Sequence, residues 1–212
     1  MEFALPFAGV GFALGWPIEW LIQRFPLGLG TPPSARRRLV VATLTAGLFA
    51  ALTLKIGFEP RLAPALLLTA LIVPASAIDL NHRIIPNAIN FPGAFLVFAA
   101  AGIAEPGRLA EFALGGLGCF LFLGLAWAIS PKGMGLGDVK MALMIGLGTG
   151  RYAFVALFTG FVASTFLSVY LLTRRGAKAR KTTFPFGPFL AFGAVIALLF
   201  GPSLSPYLLG GH

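Results

Sequence analysis

Residues 115–148, GGLGCFLFLGLAWAISPKGMGLGDVKMALMIGLG, contain two apolar runs separated by a short polar turn. The first run predicts a membrane-spanning helix over 110–129, since about 17 to 25 mostly apolar residues cross a bilayer. The second run, 138–150, is shorter than a usual span and opens with Asp138. A carboxylate at the start of an apolar helix is costly in a membrane and indicates function. This stretch therefore bears on both the fold and the chemistry.

The rest of the chain repeats the apolar pattern. Its 212 residues are 58% hydrophobic and only 11% charged, with a mean hydropathy of +0.89. Further helices are predicted near 3–23, 39–57, 61–79, 88–104, 152–173 and 187–209. We therefore expect an all-α polytopic membrane bundle of about eight helices in a single domain over residues 1–212. Seven spans with 138–150 as a re-entrant segment is the alternative.

Lysine and arginine are distributed unevenly between the two predicted sides of the membrane. With the N-terminus outside, twelve fall on the cytoplasmic side and four on the other, which sets the topology. The twelve are Arg24, Arg36, Arg37, Arg38, Arg83, Lys132, Lys140, Arg174, Arg175, Lys178, Arg180 and Lys181; the four are Lys55, Arg61, Arg108 and Arg151. We interpret the net charge of +9 as this topology signal, with some attraction to anionic lipid, and not as a nucleic-acid site.

The chain contains only two aspartates, Asp79 and Asp138. The predicted topology places Asp79 at the end of the third helix and Asp138 at the start of the sixth, both at the cytoplasmic boundary. Two neighbouring carboxylates do not ionise together easily, so one can serve as a base and the other as an acid. From the predicted helix ends, we expect Asp138 to be ionised and Asp79 to hold the proton.

The two aspartates are also compatible with a structural role or a transport role. Asp138 could simply cap its helix, and the protein would then be a membrane scaffold. The two residues could instead be the proton sites of a proton-coupled carrier. A carrier would place them near the bilayer midplane, whereas both are predicted at one boundary beside polar loops.

The residues around each aspartate add detail. Gly135 and Gly137 precede Asp138, and glycine there would let an extended substrate backbone lie close to the carboxylate. After Asp79, Pro86 predicts a cytoplasmic loop over 80–87. With two histidines and one cysteine in the chain, we expect no metal site.

These motifs resemble those of the type IV prepilin peptidases, membrane aspartic proteases of the GxGD class. The segment FPFGPFLAFGA, 184–194, is also similar to the one that opens the last helix of that family. The resemblance implies that Asp79 and Asp138 are the catalytic pair. The supporting motif residues are Arg83, Pro86 and Asn87 after Asp79, and Gly135, Gly137 and Lys140 around Asp138.

The resemblance also implies a substrate and a location. The partners would be pilin-like precursors of a type IV pilus or type II secretion system, with a basic leader and an apolar N-terminal helix. Cleavage would follow a glycine at the cytoplasmic face of the bacterial inner membrane. The peptidase would need no cofactor and would contact membrane lipid but no nucleic acid.

The chain departs from the family pattern in its N-terminal third. Larger members carry four zinc-binding cysteines and methylate the new N-terminus with S-adenosylmethionine, but residues 25–38 contain no cysteine. Glu19 stands where bifunctional members usually have Asn. We expect a short form without structural zinc, which needs S-adenosylmethionine only if it methylates. Glu19 is predicted either to pair with Arg24 or another basic neighbour, or to attract the basic leader of the substrate.

Overall fold

The computed structural model describes residues 4–24, 34–131, 134–175 and 185–209. Four of the basic residues used for the topology prediction, Lys132, Lys178, Arg180 and Lys181, lie outside these residues. The described part of the chain is helical and contains no strand. Its helices are α1 Ala4–Ala13, α2 Gly15–Arg24, α3 Ala35–Ile56, α4 Leu62–His82, α5 Asn87–Ala104, α6 Leu109–Ile129, α7 Leu136–Thr149, α8 Ala153–Arg175 and α9 Gly187–Leu209.

Seven helical stretches of the described chain are long and apolar enough to cross a membrane. This confirms the predicted polytopic helical bundle. One of the seven, Leu136–Arg174, is 39 residues long and includes both α7 and α8. The two helices are joined by a 3-10 turn at Gly150–Tyr152, where Gly150 has a φ of 55°.

The short helix α7 runs antiparallel to α6. Gly115, near the start of α6, lies against Gly146, near the end of α7. A Cβ on Gly146 would overlap the Gly115 carbonyl oxygen, so glycine on both helices lets the backbones touch. Toward the other end of α6, Gly124 faces Val139.

The next helix, α8, runs back along α6 in the parallel sense. The Cys119 thiol lies 3.9 Å from the Ala153 carbonyl oxygen, and further along both helices the rings of Phe122 and Phe161 are 5.9 Å apart. Since α7 is antiparallel to α6 and α8 is parallel to it, the 39-residue stretch folds back on itself. In the part of the chain that the structure describes, α7 and α8 are thus two separate passes in opposite directions, as the eight-helix prediction requires.

The first predicted helix, 3–23, is interrupted. It consists of α1 and α2, with a turn at Leu14 between them. Pro17 explains the break, because it lacks the N–H that would bond the carbonyl of residue 13 in a continuous helix.

Two other boundaries differ from the prediction. The helix α3 begins four residues early, after Ser34, whose hydroxyl accepts a hydrogen bond from the Arg37 N–H at 3.3 Å. The helix α4 continues beyond Asp79 to His82, so the loop after it covers residues 83–86 and not 80–87. Both helices thus extend further toward the predicted cytoplasmic side.

The helix α4 is the most enclosed of the spans. Of the 18 most apolar consecutive residues of α4, 61% are buried inside the bundle, against 22% to 39% of the corresponding residues in the other spans. It contacts α2, α3, α5, α7 and α9. The central helix of the bundle is therefore the one that carries Asp79.

Candidate active site

Asp79 lies in the last turn of α4 and is only 4% exposed. The helix ends because Arg83 adopts a left-handed conformation, with a φ of 55°, and donates its N–H to the Asp79 carbonyl at 2.8 Å. After residues 83–86 the chain enters α5, with Pro86 at its N-cap. The chain thus reverses directly after Asp79.

The Asp79 carboxylate holds the start of α9. Its Oδ2 accepts a hydrogen bond from the Gly187 N–H at 2.9 Å. A Cβ added to Gly187 would lie 2.8 Å from that oxygen and 3.2 Å from the Asp79 Cγ, so only glycine fits here. The first N–H groups of a helix lack partners within the helix, and an anion there is stabilised by the helix dipole. Asp79 therefore supports α9 as well as closing α4.

Asp138 lies in the first turn of α7 and is 8% exposed. Its Oδ2 accepts the Gly135 N–H at 3.2 Å, while its own N–H donates to the Gly135 carbonyl at 3.1 Å. Asp138 therefore does cap α7. It does so from the third position of the helix, because Gly135 is the N-cap residue. The other oxygen, Oδ1, is buried and has no hydrogen-bond partner among the described residues. A buried acceptor without a partner costs free energy and calls for an explanation.

The two aspartates come together at one end of the bundle, where α4 ends and where α7 and α9 begin. The three helices contact one another in pairs, α4 with α7, α4 with α9 and α7 with α9. The asymmetry expected between the two aspartates was argued from helix ends, but each carboxylate accepts an N–H at the start of a helix. Which of the two holds the proton stays a prediction. A hydrogen bond or one bridging water between the carboxylates stays a prediction.

The first turns of α5 and α7 are joined by two polar contacts. The Lys140 Nζ donates to the Asn87 Oδ1 at 2.9 Å, and the Asn90 Nδ2 donates to the Gly137 carbonyl at 3.2 Å. The partners are three residues apart on both helices, so the two turns are held in register. Asp138 lies between the two contacts along α7 and is fixed relative to α5 by them.

Gly137 has a different neighbour from the one expected. The predicted role was to admit a substrate backbone, but a Cβ on Gly137 would lie 3.1 Å from the Ile85 Cβ and 3.3 Å from the Ile85 N. The side of Gly137 that lacks a side chain is thus covered by the chain's own loop. In this structure Gly137 serves close packing of α7 on residues 83–86.

The structure therefore brings the motif residues of the two aspartate segments to one place. Arg83 ends α4 with an exposed side chain, Pro86 begins α5, and Gly135 begins α7. Asn87 and Lys140 meet across α5 and α7. Each of these residues shapes a helix end or joins two of them.

Glu19 is held by a basic neighbour, although not by Arg24. Its carboxylate is 1% exposed and accepts hydrogen bonds from Arg37, with Nε to Oε2 at 2.9 Å, and from the Gln23 amide at 3.1 Å. The Ser34 N–H lies 3.4 Å from Oε1. The geometry favours the ion-pair interpretation, which ties α2 to α3. Attraction of a substrate leader by Glu19 stays a prediction.

Two residues of the site were not predicted as such. Gly187 falls in the segment at 184–194 that carried the family resemblance, but its contact with Asp79 depends on the packing of α9. Asn90 is 1% exposed in an apolar helix, and its Oδ1 has no hydrogen-bond partner among the described residues. The rule that buried polar residues in spans are functional could have selected it.

Comparison with known proteins places the chain in a family. The profile of the type IV leader peptidase family matches residues 65–172, just over half of the chain. The chain belongs to that family. The matched region contains both aspartates and the α5–α7 contacts, whereas Glu19 and Gly187 lie outside it. No solved structure matches the chain.

Several relatives are named prepilin leader peptidase/N-methyltransferase. The one from Bacillus subtilis (strain 168) is 34% identical over 167 residues, which cover 76% of this chain and 65% of the relative. The one from Aeromonas hydrophila is 31% identical over 202 residues, with 91% and 68% covered. The one from Xanthomonas campestris pv. campestris is 26% identical over 195 residues, with 88% and 67% covered. The chain spans about two thirds of the length of these relatives.

Proposed function

We propose that this protein is a membrane aspartic endopeptidase that removes the short basic leader from type IV pilin-like precursors. The cut follows a glycine, and it lies just before the apolar N-terminal helix of the precursor. The observation that carries the proposal is the pair of buried aspartates at the meeting point of three helix ends. One of their oxygens, the Asp138 Oδ1, has no hydrogen-bond partner among the described residues. Membership of the type IV leader peptidase family supports the same activity.

The pair can perform hydrolysis without a cofactor. The ionised carboxylate takes a proton from a water molecule as the water oxygen attacks the carbonyl carbon of the scissile bond, and the protonated carboxyl gives its proton to the carbonyl oxygen. When the tetrahedral intermediate collapses, the C–N bond breaks and the leaving nitrogen takes the proton from the carboxyl that received it from water. A hydroxyl of the intermediate gives its proton to the other carboxylate, so the pair again holds one proton. The proton moves within a coupled pair, so the two roles belong to the pair as a whole.

The roles of base and acid are shared by the two residues. Their carboxylates are held alike, since the Gly135 N–H binds the Asp138 Oδ2 and the Gly187 N–H binds the Asp79 Oδ2. Either residue can therefore start the cycle as the base, while the other supplies the proton to the carbonyl oxygen.

The site faces the cytoplasm in this proposal, and the membrane is the bacterial inner membrane. The Asp79 end of the bundle carries Arg83 and Lys140, beside the start of α3 with its three arginines. The opposite end carries Arg61 and Arg108. By the positive-inside rule the aspartates lie on the cytoplasmic side and the N-terminus lies outside.

We further propose that the protein cleaves without methylating, and so uses no S-adenosylmethionine. The support is in the sequence, which has Glu19 in place of the usual Asn and no cysteine in residues 25–38. The alternative is a bifunctional enzyme like the relatives, whose names include N-methyltransferase. Mass spectrometry of a mature pilin processed by this protein alone decides between them. An unmodified first residue is expected, and one added methyl group would establish the bifunctional alternative.

The peptidase is tested by replacing each aspartate with asparagine and assaying cleavage of a co-expressed precursor. Asp79→Asn and Asp138→Asn are each expected to abolish cleavage while the protein still accumulates in the membrane. Glu59→Gln is the matched control, because Glu59 is an exposed carboxylate before α4, at the end opposite Asp79, and pairs with Arg61. Full cleavage with asparagine at either aspartate would refute the mechanism and revive the carrier or scaffold alternatives.

A further inference from the structure

A groove of about 470 Å³ lies between α3, α4 and α9. On α3 it extends from Arg37 to Leu48, and on α9 from Pro188 to Val195. Its α4 wall ends at Asn81, two residues beyond Asp79. Pro188 directly follows Gly187, whose N–H binds the Asp79 carboxylate. The groove therefore ends beside the candidate active site.

Two other large apolar grooves on the described surface do not reach this level. One, of about 680 Å³, is lined by Pro60 and Leu62 at the start of α4, the end opposite Asp79. The other, of about 500 Å³ between α6 and α8, reaches only Phe122 on α6, about two turns before that helix ends at Ile129. Of the three, only the α3–α4–α9 groove is lined by residues of the last turn of α4 and the first turn of α9, the two turns that the Asp79 carboxylate joins.

The groove has a polar mouth and apolar walls. Arg37 and Asn81 lie at the Asp79 end, whereas Leu44, Leu48 and Val195 line the deeper part. The Ser76 Oγ in its wall is buried and has no hydrogen-bond partner among the described residues. This gradient matches a segment that is polar in the cytoplasm and apolar once inside the bilayer.

We propose that the α3–α4–α9 groove is the docking site for the first two turns of the apolar helix of the precursor. From Pro188 to Val195 the wall formed by α9 is about 10 Å long, which equals about two helical turns. Small residues, Ala77 and Ala191, let a helix approach closely. A helix seated there begins at the level of Asp79, so the peptide bond just before it is presented to the aspartates. This proposal rests on the proposed function and specifies how its substrate is held.

Filling the groove tests the proposal. Ala191→Trp and Leu44→Trp are expected to raise the KM for a full-length precursor in detergent or liposomes roughly tenfold, with kcat within about twofold of wild type. The matched controls are Ala63→Trp and Leu114→Trp, which fill the other two grooves, and they should leave KM within about twofold of wild type. Wild-type KM in both groove variants would overturn the proposal. An equal rise in the controls would also overturn it.

Photocrosslinking gives a second measurement that does not depend on how well the tryptophan variants fold. A benzoylphenylalanine replaces Phe192 in the groove or, as the matched control, Phe158 between α6 and α8; the two side chains are 51% and 43% exposed. In an Asp138→Asn background, the expected result is an adduct with uncleaved precursor from position 192 and none from 158. Adducts only with lipid at 192, or equal precursor adducts at both positions, would overturn the proposal.

The outcomes separate this proposal from the peptidase itself. If the wild-type protein cleaves the precursor but filling the groove changes nothing, only the docking site is wrong. If the wild-type protein does not cleave any pilin-like precursor, the proposed function is wrong, and the docking site falls with it.

Discussion

Replacing Gly187 with alanine should displace the Asp79 carboxylate and lower cleavage, although Asp79 itself is unchanged. The new Cβ would lie 2.8 Å from the Asp79 Oδ2 and 3.2 Å from its Cβ and Cγ. Real Cβ atoms do not approach an oxygen that closely, so either the carboxylate or the start of α9 must move. In both cases the hydrogen bond of 2.9 Å from the Gly187 N–H to Oδ2 is stretched or lost.

The size of the effect follows from the two interactions that change. A hydrogen bond to a charged group contributes about 1.5 to 3 kcal/mol, and one extra methyl group in a packed site costs about 1 to 3 kcal/mol. We expect Gly187→Ala to lose about 2 to 3 kcal/mol of transition-state stabilisation, which corresponds to roughly 30- to 150-fold in kcat. Thermal stability in detergent should fall as well, because α9 loses its anchor on α4.

The assay is precursor cleavage by purified protein, combined with a melting curve of each variant. Gly118→Ala is the control, since Gly118 is also helical but has no atom near the position of an added Cβ. A double-mutant cycle with Asp79→Ala tests the cause, because the shortest contact, at 2.8 Å, is with the carboxylate oxygen that this substitution removes. The stability loss of Gly187→Ala should largely disappear in the Asp79→Ala background. Wild-type cleavage by Gly187→Ala, or an undiminished stability loss in that background, would refute the reasoning.

Three further substitutions test the surroundings of the pair. Gly137→Val should lower both membrane accumulation and cleavage, because the new Cβ would meet Ile85. If cleavage is lost while accumulation stays normal, Gly137 contacts the substrate, as the sequence analysis predicted. Asn90→Leu removes the bond to the Gly137 carbonyl and should lower kcat about tenfold at unchanged KM, as for a positioning residue, and an unchanged kcat would contradict this. Glu19→Gln should lower the melting temperature, because Arg37 loses its charged partner, and should leave KM for the precursor unchanged. A raised KM at normal stability would show instead that Glu19 attracts the basic leader of the substrate.

The sequence was sufficient for the helices because length and apolarity determine a membrane span almost alone. Even the short α7 could be counted as a span. Arg83 and Arg174 are both predicted on the cytoplasmic side, and this requires an even number of spans between them, which is reached only when α7 is included. The same rule placed Asp79 and Asp138 on one side of the membrane. The break at Leu14 was missed, although Pro17 carries a recognisable signal for it.

The contacts of the site could not be predicted, because they depend on which helices are neighbours. Glu19 binds Arg37, eighteen residues away on another helix, and not Arg24 on its own. Gly137 faces Ile85 only because α7 packs on the loop after α4. Composition and spacing give the types of residue in a site, but the pairing of α4 with α9 and of α5 with α7 decides what each one touches.

The two aspartates divide structural and chemical roles between their oxygens, and this determines which substitution is diagnostic. The Oδ2 atoms of Asp79 and Asp138 each accept an N–H at the start of a helix, while the Asp138 Oδ1 has no partner among the described residues. Asparagine keeps one acceptor oxygen for the helix start and removes the titratable charge, whereas alanine removes both. A loss of cleavage with asparagine therefore reports on the chemistry, and the additional instability expected with alanine reports on the support of α7 and α9. Equal stability of the asparagine and alanine variants would show that the capping bonds contribute nothing and that the carboxylates are kept for hydrolysis alone.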